Sequence, residues 1–159
     1  MGHWGFSYVG LLYLLMLFIP NGIWTKYKPA DYEQVAGQEN KWLQLLERIG
    51  QIGTTATVLV FRDFNLSSLT PWSLWLAASF VCMLLYEYCW FRYFRSDRRQ
   101  QDFYRKWGPL PVPLATLPVL AFLLLGIYGK VLWLLLFTVL LGVGHIGIHW
   151  QHQASIKHE

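Results

Sequence analysis

Five long apolar runs take up most of this 159-residue chain. A helix needs about 20 predominantly apolar residues to cross the hydrocarbon core of a bilayer. Five crossings would use most of the length and leave little for a soluble domain. Lipid offers no partners for backbone N–H and C=O groups, so runs of this kind must satisfy them internally, as helices do. The expected fold class is therefore all-α: a polytopic membrane helix bundle of about five transmembrane helices, forming one domain over residues 1–159. Only 14% of the residues are charged, against about 25% in an ordinary soluble domain. Any chemistry must sit between the helices or on short loops.

The expected spans are 6–24, 41–61, 72–94, 112–128 and 131–150. Trp4 and Trp24 bracket the first, where aromatic rings favour the interface. No Lys or Arg opens the N-terminus and no small-residue cleavage site follows, so this run is read as a retained helix and not a signal peptide. Pro20-Asn21-Gly22 is expected to bend or end it, and Lys28-Pro29-Ala30-Asp31 reads as a loop. The second span is the least apolar. It carries Glu47, Arg48 and Gln51, then Gly50, Gly53, Thr54, Thr55 and Thr57, small and hydroxylated residues suited to close helix contact. Pro71-Trp72 suits the start of the third span. Pro109, Pro111, Pro113 and Pro118 surround the start of the fourth, which reads as a kinked or re-entrant helix. Gly129-Lys130 is a minimal turn, making spans four and five an antiparallel hairpin.

Charge sets the orientation. With the N-terminus outside, the inner loops carry Lys26, Lys28, Lys41, the six basic residues from Arg92 to Lys106, and Lys157. The outer loops carry only Arg62 and Lys130. The positive-inside rule selects N-out and C-in. The basic loop 95–110, with Phe103, Tyr104 and Trp107 among its charges, suits a segment lying on the membrane surface. Anionic lipid is the expected partner of 92–106. A nucleic-acid partner is not expected, because no recognisable binding module is present. Cys82 and Cys89 are too far apart along one helix for a disulfide and read as small buried side chains. On the outer side, His3, Trp4 and the Arg62-Asp63 pair suggest interface anchoring and a surface salt bridge.

With this orientation, ionisable side chains from three spans reach one layer in the inner half. By helical rise, Glu47 and Gln51 lie roughly 8 to 14 Å inward from Lys41, Glu87 about 10 Å before Phe94, and His145 about 8 Å before Trp150. Ionisable groups at membrane depth are costly and usually have a task or a partner. His145 and His149 share a helix face, and His152 continues the stripe. Three readings follow. In the first, His145 and His149 hold a divalent metal such as zinc, with Glu47 or Glu87 completing the shell; no His-Glu-x-x-His motif supports it. In the second, the groups form a structural network, Glu47 or Glu87 pairing with Arg48 or Arg92 and the histidines donating to carbonyls or carboxylates. In the third, Glu47, Arg48, Gln51, Glu87, Arg92, His145 and His149 line a ligand site, with Arg48 and Arg92 holding a phosphate or carboxylate and Glu87 or a histidine moving a proton. Trp42, Tyr86, Tyr88 and Trp90 either line such a cavity or form an interfacial belt, the belt being the ordinary outcome. Gly142, Gly144 and Gly147 give close helix packing or room for a cofactor beside His145. Haem is disfavoured, since no second helix offers an axial histidine on that side.

Gly5-Phe6-Ser7-Tyr8-Val9-Gly10, Pro20-Asn21, Glu47-Arg48-Ile49-Gly50-Gln51 and Gly144-His145-Ile146-Gly147-Ile148-His149 resemble a family of small bacterial membrane proteins with no known activity. The resemblance covers most of the chain. It implies a bacterial inner-membrane location and transfers no functional residues. The membrane methyltransferases of prenylated cysteine have comparable helices, but their Arg-His-Pro-x-Tyr signature is absent. The expected function is binding or movement of a small, anionic or amphipathic ligand in a polar pocket of the cytoplasmic half. The alternatives are an inner-membrane enzyme acting on a lipid or prenyl substrate and an accessory subunit without a ligand site.

Overall fold

The computed structural model describes residues 2–29, 32, 39–108 and 110–156. Ala30, Asp31, Pro109 and Lys157, each used in the readings above, lie outside the described residues. The described chain is all-helical: α1 (Tyr8–Tyr27), α2 (Lys41–Val60), α3 (Leu74–Phe94), the short α4 (Gln100–Phe103), α5 (Pro113–Gly129) and α6 (Leu132–Ile156). Two 3₁₀ turns, Arg62–Phe64 and Pro71–Ser73, link α2 to α3. No strand occurs among the described residues.

Three helical segments are long and apolar enough to cross a membrane: Tyr8–Tyr27, Pro71–Phe94 and Leu132–Ala154. Their outer faces expose large apolar side chains, among them Leu15 and Ile19 on α1, Val81 and Leu84 on α3, and Leu136 and Val143 on α6. Such a continuous apolar exterior suits lipid and not water. The other two helices differ in kind. α5 is apolar but has 17 residues, about 26 Å at 1.5 Å per residue, and most of it is buried. α2 has 20 residues and a polar first half.

Capping explains where the helices begin. Ser7 Oγ accepts the Gly10 N–H (2.8 Å), and Asn65 Oδ1 accepts the Tyr8 N–H (2.9 Å), so two N–H groups left open at the start of α1 are satisfied. Asn40 Oδ1 accepts the Trp42 N–H (2.8 Å) at the start of α2. Pro113 opens α5, where a missing N–H costs nothing. Lys130 adopts a left-handed conformation (φ 53°) and ends α5, and the chain turns straight into α6, giving the expected hairpin.

Pro20 does not end α1, which continues to Tyr27. The Asn21 side chain donates to the Leu17 carbonyl (2.7 Å) and to the Tyr86 hydroxyl (2.7 Å), tying this part of α1 to α3. Pro118 likewise lies inside a continuous α5.

α6 packs along α2 on one side and α5 on the other, α5 packs against α3, and α1 bridges α2 and α3 more lightly. The tight α2–α6 seam follows from glycine. A Cβ on Gly50 would collide with the Leu141 backbone, and one on Gly144 with the Leu43 carbonyl and the Glu47 amide. α5, α3 and α1 are tied together in the core: the Tyr13 hydroxyl donates to Ser79 Oγ (3.0 Å), which donates to the Ala121 carbonyl (2.6 Å). Cys82 and Cys89 are buried free thiols. Beyond the start of α1 and the end of α2, Asp63 pairs with His3 and not with its neighbour Arg62: the His3 backbone N–H donates to Oδ2 (2.5 Å), and Nδ1 lies 2.7 Å from Oδ1.

Candidate functional site

The α2–α6 seam carries the polar centre. Gly144 lets α6 press its backbone against α2 at Glu47, so the next residue, His145, meets that carboxylate. His145 Nδ1 lies 2.6 Å from Glu47 Oε1, and both side chains are only about a quarter exposed. A carboxylate has no hydrogen to give, so the Nδ1–H donates. The imidazole stripe forms as its spacing dictates: the rings of His145 and His149 are 4.5 Å apart, and those of His149 and His152 are 6.3 Å apart. At its end, His152 Nδ1 lies 2.8 Å from the Tyr104 hydroxyl, and His152 Nε2 lies 3.2 Å from Glu39 Oε1. The second approach attracts charge but is off the line of a hydrogen bond. Gln44 Nε2 donates to the other Glu39 oxygen (2.8 Å), and Gln153 Nε2 to the Tyr104 carbonyl (2.9 Å).

Of these groups, Glu39, Glu47, His145 and His149 line a cavity of about 320 Å³, in the half of the bundle nearest the basic loop. Every long helix contributes. Glu47 and Gln51 come from α2, and His145 and His149 from α6. Asn21 and Trp24 come from α1, Tyr86 and Trp90 from α3, and Pro118 and Phe122 from α5. Glu39, Tyr32 and Phe103 close the end. His149 makes no hydrogen bond among the described residues and faces this space. Burial, then the nearby Glu39 and Glu47 carboxylates, push the Tyr32 hydroxyl up to about 12. Burial chiefly, with Tyr32 and Glu39 adding to it, also raises the Tyr104 hydroxyl, so it stays protonated beside His152.

Of the seven residues singled out from the sequence, the cavity brings together Glu47, Gln51, His145 and His149. Glu87, Arg48 and Arg92 are not among its lining. One residue turns a helix by about 100°, so Glu47 faces inward while Arg48 is exposed. The same step puts Tyr86 at the cavity and Glu87 outside it, with Glu87 Oε1 buried and without a hydrogen-bond partner among the described residues. Arg92 Nη2 donates to the Arg105 carbonyl (3.1 Å), bracing the basic loop. The two guanidinium groups assigned to a phosphate or carboxylate are thus elsewhere.

Other readings divide similarly. Tyr86 and Trp90 line the cavity, while Trp42 and Tyr88 are exposed, as an interfacial belt requires. Gly144 and Gly147 abut α2, and Gly142 abuts Val119. All three are taken up by helix packing, and the open space that His145 faces is the cavity lined also by the other helices. No group of three or more His, Cys, Asp or Glu side chains among the described residues is arranged to hold a metal ion. Glu47 and His145 satisfy each other, and neither Glu87 nor a cysteine reaches them.

Phe103 and Tyr104, expected on the membrane surface, are buried. Phe103 stacks on Trp24 at 5.4 Å and tilts against Trp90 at 5.8 Å. Aromatic rings among charges suit any apolar surface beside water, and the open end of the bundle supplies one nearer than lipid. Glu39, Tyr32, Asn21 and Tyr104 were not singled out as site residues. Glu39 sits in a polar stretch before α2 with no periodicity to reveal its direction, and the proline beside Asn21 read as a helix end.

No protein-family model matches the chain, and no curated protein or solved structure matches it.

Proposed function

We propose that this chain is a five-span membrane protein of the bacterial inner membrane, N-terminus outside and C-terminus inside, whose inner-half cavity binds or moves a small amphipathic ligand. The cavity is the observation that carries the reading. Its volume of about 320 Å³ falls at the small end of ligand sites, about 300–1,000 Å³, which are mostly apolar with a few convergent polar groups. Here the apolar part is aromatic and aliphatic, and the polar part is the Glu47–His145 pair with His149, Gln51 and Glu39. A purely structural network would be expected to close on itself. His149, which makes no hydrogen bond among the described residues, instead lines the open space.

The five-span arrangement is supported by α2 and α5, which complete the bundle between the three long apolar helices. The orientation is supported by the basic residues, which cluster at the end of α3 and in the loop after it. Arg95, Arg98, Arg99, Arg105 and Lys106 are exposed there, as contact with anionic lipid headgroups requires.

Native mass spectrometry of the full chain released from nanodiscs tests the ligand reading. A bound species of small-molecule mass is expected on the wild type and is expected to be lost from Gln51→Trp, which fills the cavity from its rim. Wild-type protein that carries nothing, and that no amphipathic compound stabilises against heat, would contradict it, because a ligand that binds the folded state must stabilise it.

A further inference from the structure

We infer that the ligand is a small amphipathic organic cation, an ammonium group on an apolar body; the inference rests on the cavity reading and assigns its ligand's charge. Two carboxylates, Glu39 and Glu47, line the cavity, and no lysine or arginine among the described residues does. The remaining ionisable groups on the wall are the imidazoles of His145 and His149 and the phenols of Tyr32 and Tyr86. None of these carries a permanent positive charge. An anion would therefore meet two carboxylates in a mostly apolar cavity with no fixed countercharge among the described residues, which is strongly unfavourable. A cation would meet both.

The aromatic faces point the same way. Trp24, Trp90 and Phe103 line the same cavity as the carboxylates, and the quadrupole of such rings attracts ammonium groups, tryptophan most strongly. Elsewhere the lining includes Leu114, Val119 and Leu141, an aliphatic surface that suits the apolar body of the ligand. A bare metal cation fits less well. Hard cations demand several converging oxygen ligands, whereas the carboxylates here are already engaged by His145 and Gln44, and the walls between them are hydrocarbon.

Three probes of matched size test this by isothermal titration calorimetry on the full chain in nanodiscs. They are benzyltrimethylammonium, its uncharged carbon isostere neopentylbenzene, and phenylmethanesulfonate. The cation is expected to bind at least tenfold more tightly than either of the others. The double variant Glu39→Gln/Glu47→Gln is expected to lose at least tenfold in cation affinity, and Glu87→Gln, outside the cavity, to retain wild-type affinity. Equal binding of the uncharged isostere or the sulfonate would overturn the charge assignment while leaving a ligand cavity in place. Binding of none of the three would overturn both. If the double variant does not fold, the comparison of probes on the wild type decides alone.

Discussion

The contact between Glu47 and His145 brings together residues 98 positions apart. From spacing alone, a common layer for the two residues is legible on both helices, and so is the shared face of His145 and His149. What spacing does not give is azimuth between helices. Glu87 stood at a matching depth, yet one residue of helical turn gives the cavity to Tyr86. The same limit hid the true partner of Asp63. At that site burial alone would raise the carboxyl, but hydrogen bonds from the His3 ring and backbone, together with charge attraction to that ring, outweigh it and hold Asp63 below its usual range. A carboxyl held lower when folded than when unfolded stabilises the fold above its unfolded value, about 3.9, and loses that contribution as pH falls through the lowered folded value. Acidification below about pH 4 should therefore release the N-terminal segment from the Arg62–Phe64 turn. Amide exchange at Gly5 and Arg62, whose N–H groups pair with Val60 and His3, should accelerate there. In Asp63→Asn the exchange should already be fast at neutral pH and show no such step. Wild-type exchange that is flat across this range would reject the clasp.

At the scale of elements, five long helices fall close to the expected spans, because apolar runs and turn residues mark them directly. Of the two outcomes expected at Pro20-Asn21-Gly22, an end is ruled out, since α1 runs on to Tyr27: proline removes one backbone bond, and a helix packed among neighbours tolerates that loss. The role of Phe103 and Tyr104 was illegible for a related reason: sequence shows that a ring seeks cover, not which cover is closest. The glycines allow a test with opposite signs. Gly144→Ala places a methyl group against the α2 backbone, which cannot yield as a side chain can, and should cost about 1–3 kcal/mol. Gly22→Ala, in open space on α1, should be neutral or stabilise by up to about 1 kcal/mol through its helix preference. Unfolding titrations of both variants in mixed micelles check this. Equal effects would mean that the α2–α6 seam is looser than the glycine contacts require.

For the whole molecule, the helices enclose a cavity whose polar wall depends on one close crossing, with the basic loop at the same end. If α3 crosses the membrane, its two ends face opposite compartments. In a Cys82→Ala/Cys89→Ala background, a thiol at exposed Ser68 should react with an impermeant reagent from outside, and one at exposed Asp97 only from inside. Reaction of both from one side would refute the crossing. The account depends most on the meeting of the α2 carboxylate and the α6 imidazole at the cavity wall. A double-mutant cycle with Glu47→Ala, His145→Ala and the combined variant measures it through unfolding free energy. The predicted result is a coupling of about 1 kcal/mol or more, within the 0.5–3 kcal/mol seen for contacting groups. Single-variant effects that add to within about 0.3 kcal/mol would contradict it, because side chains that do not touch behave that way.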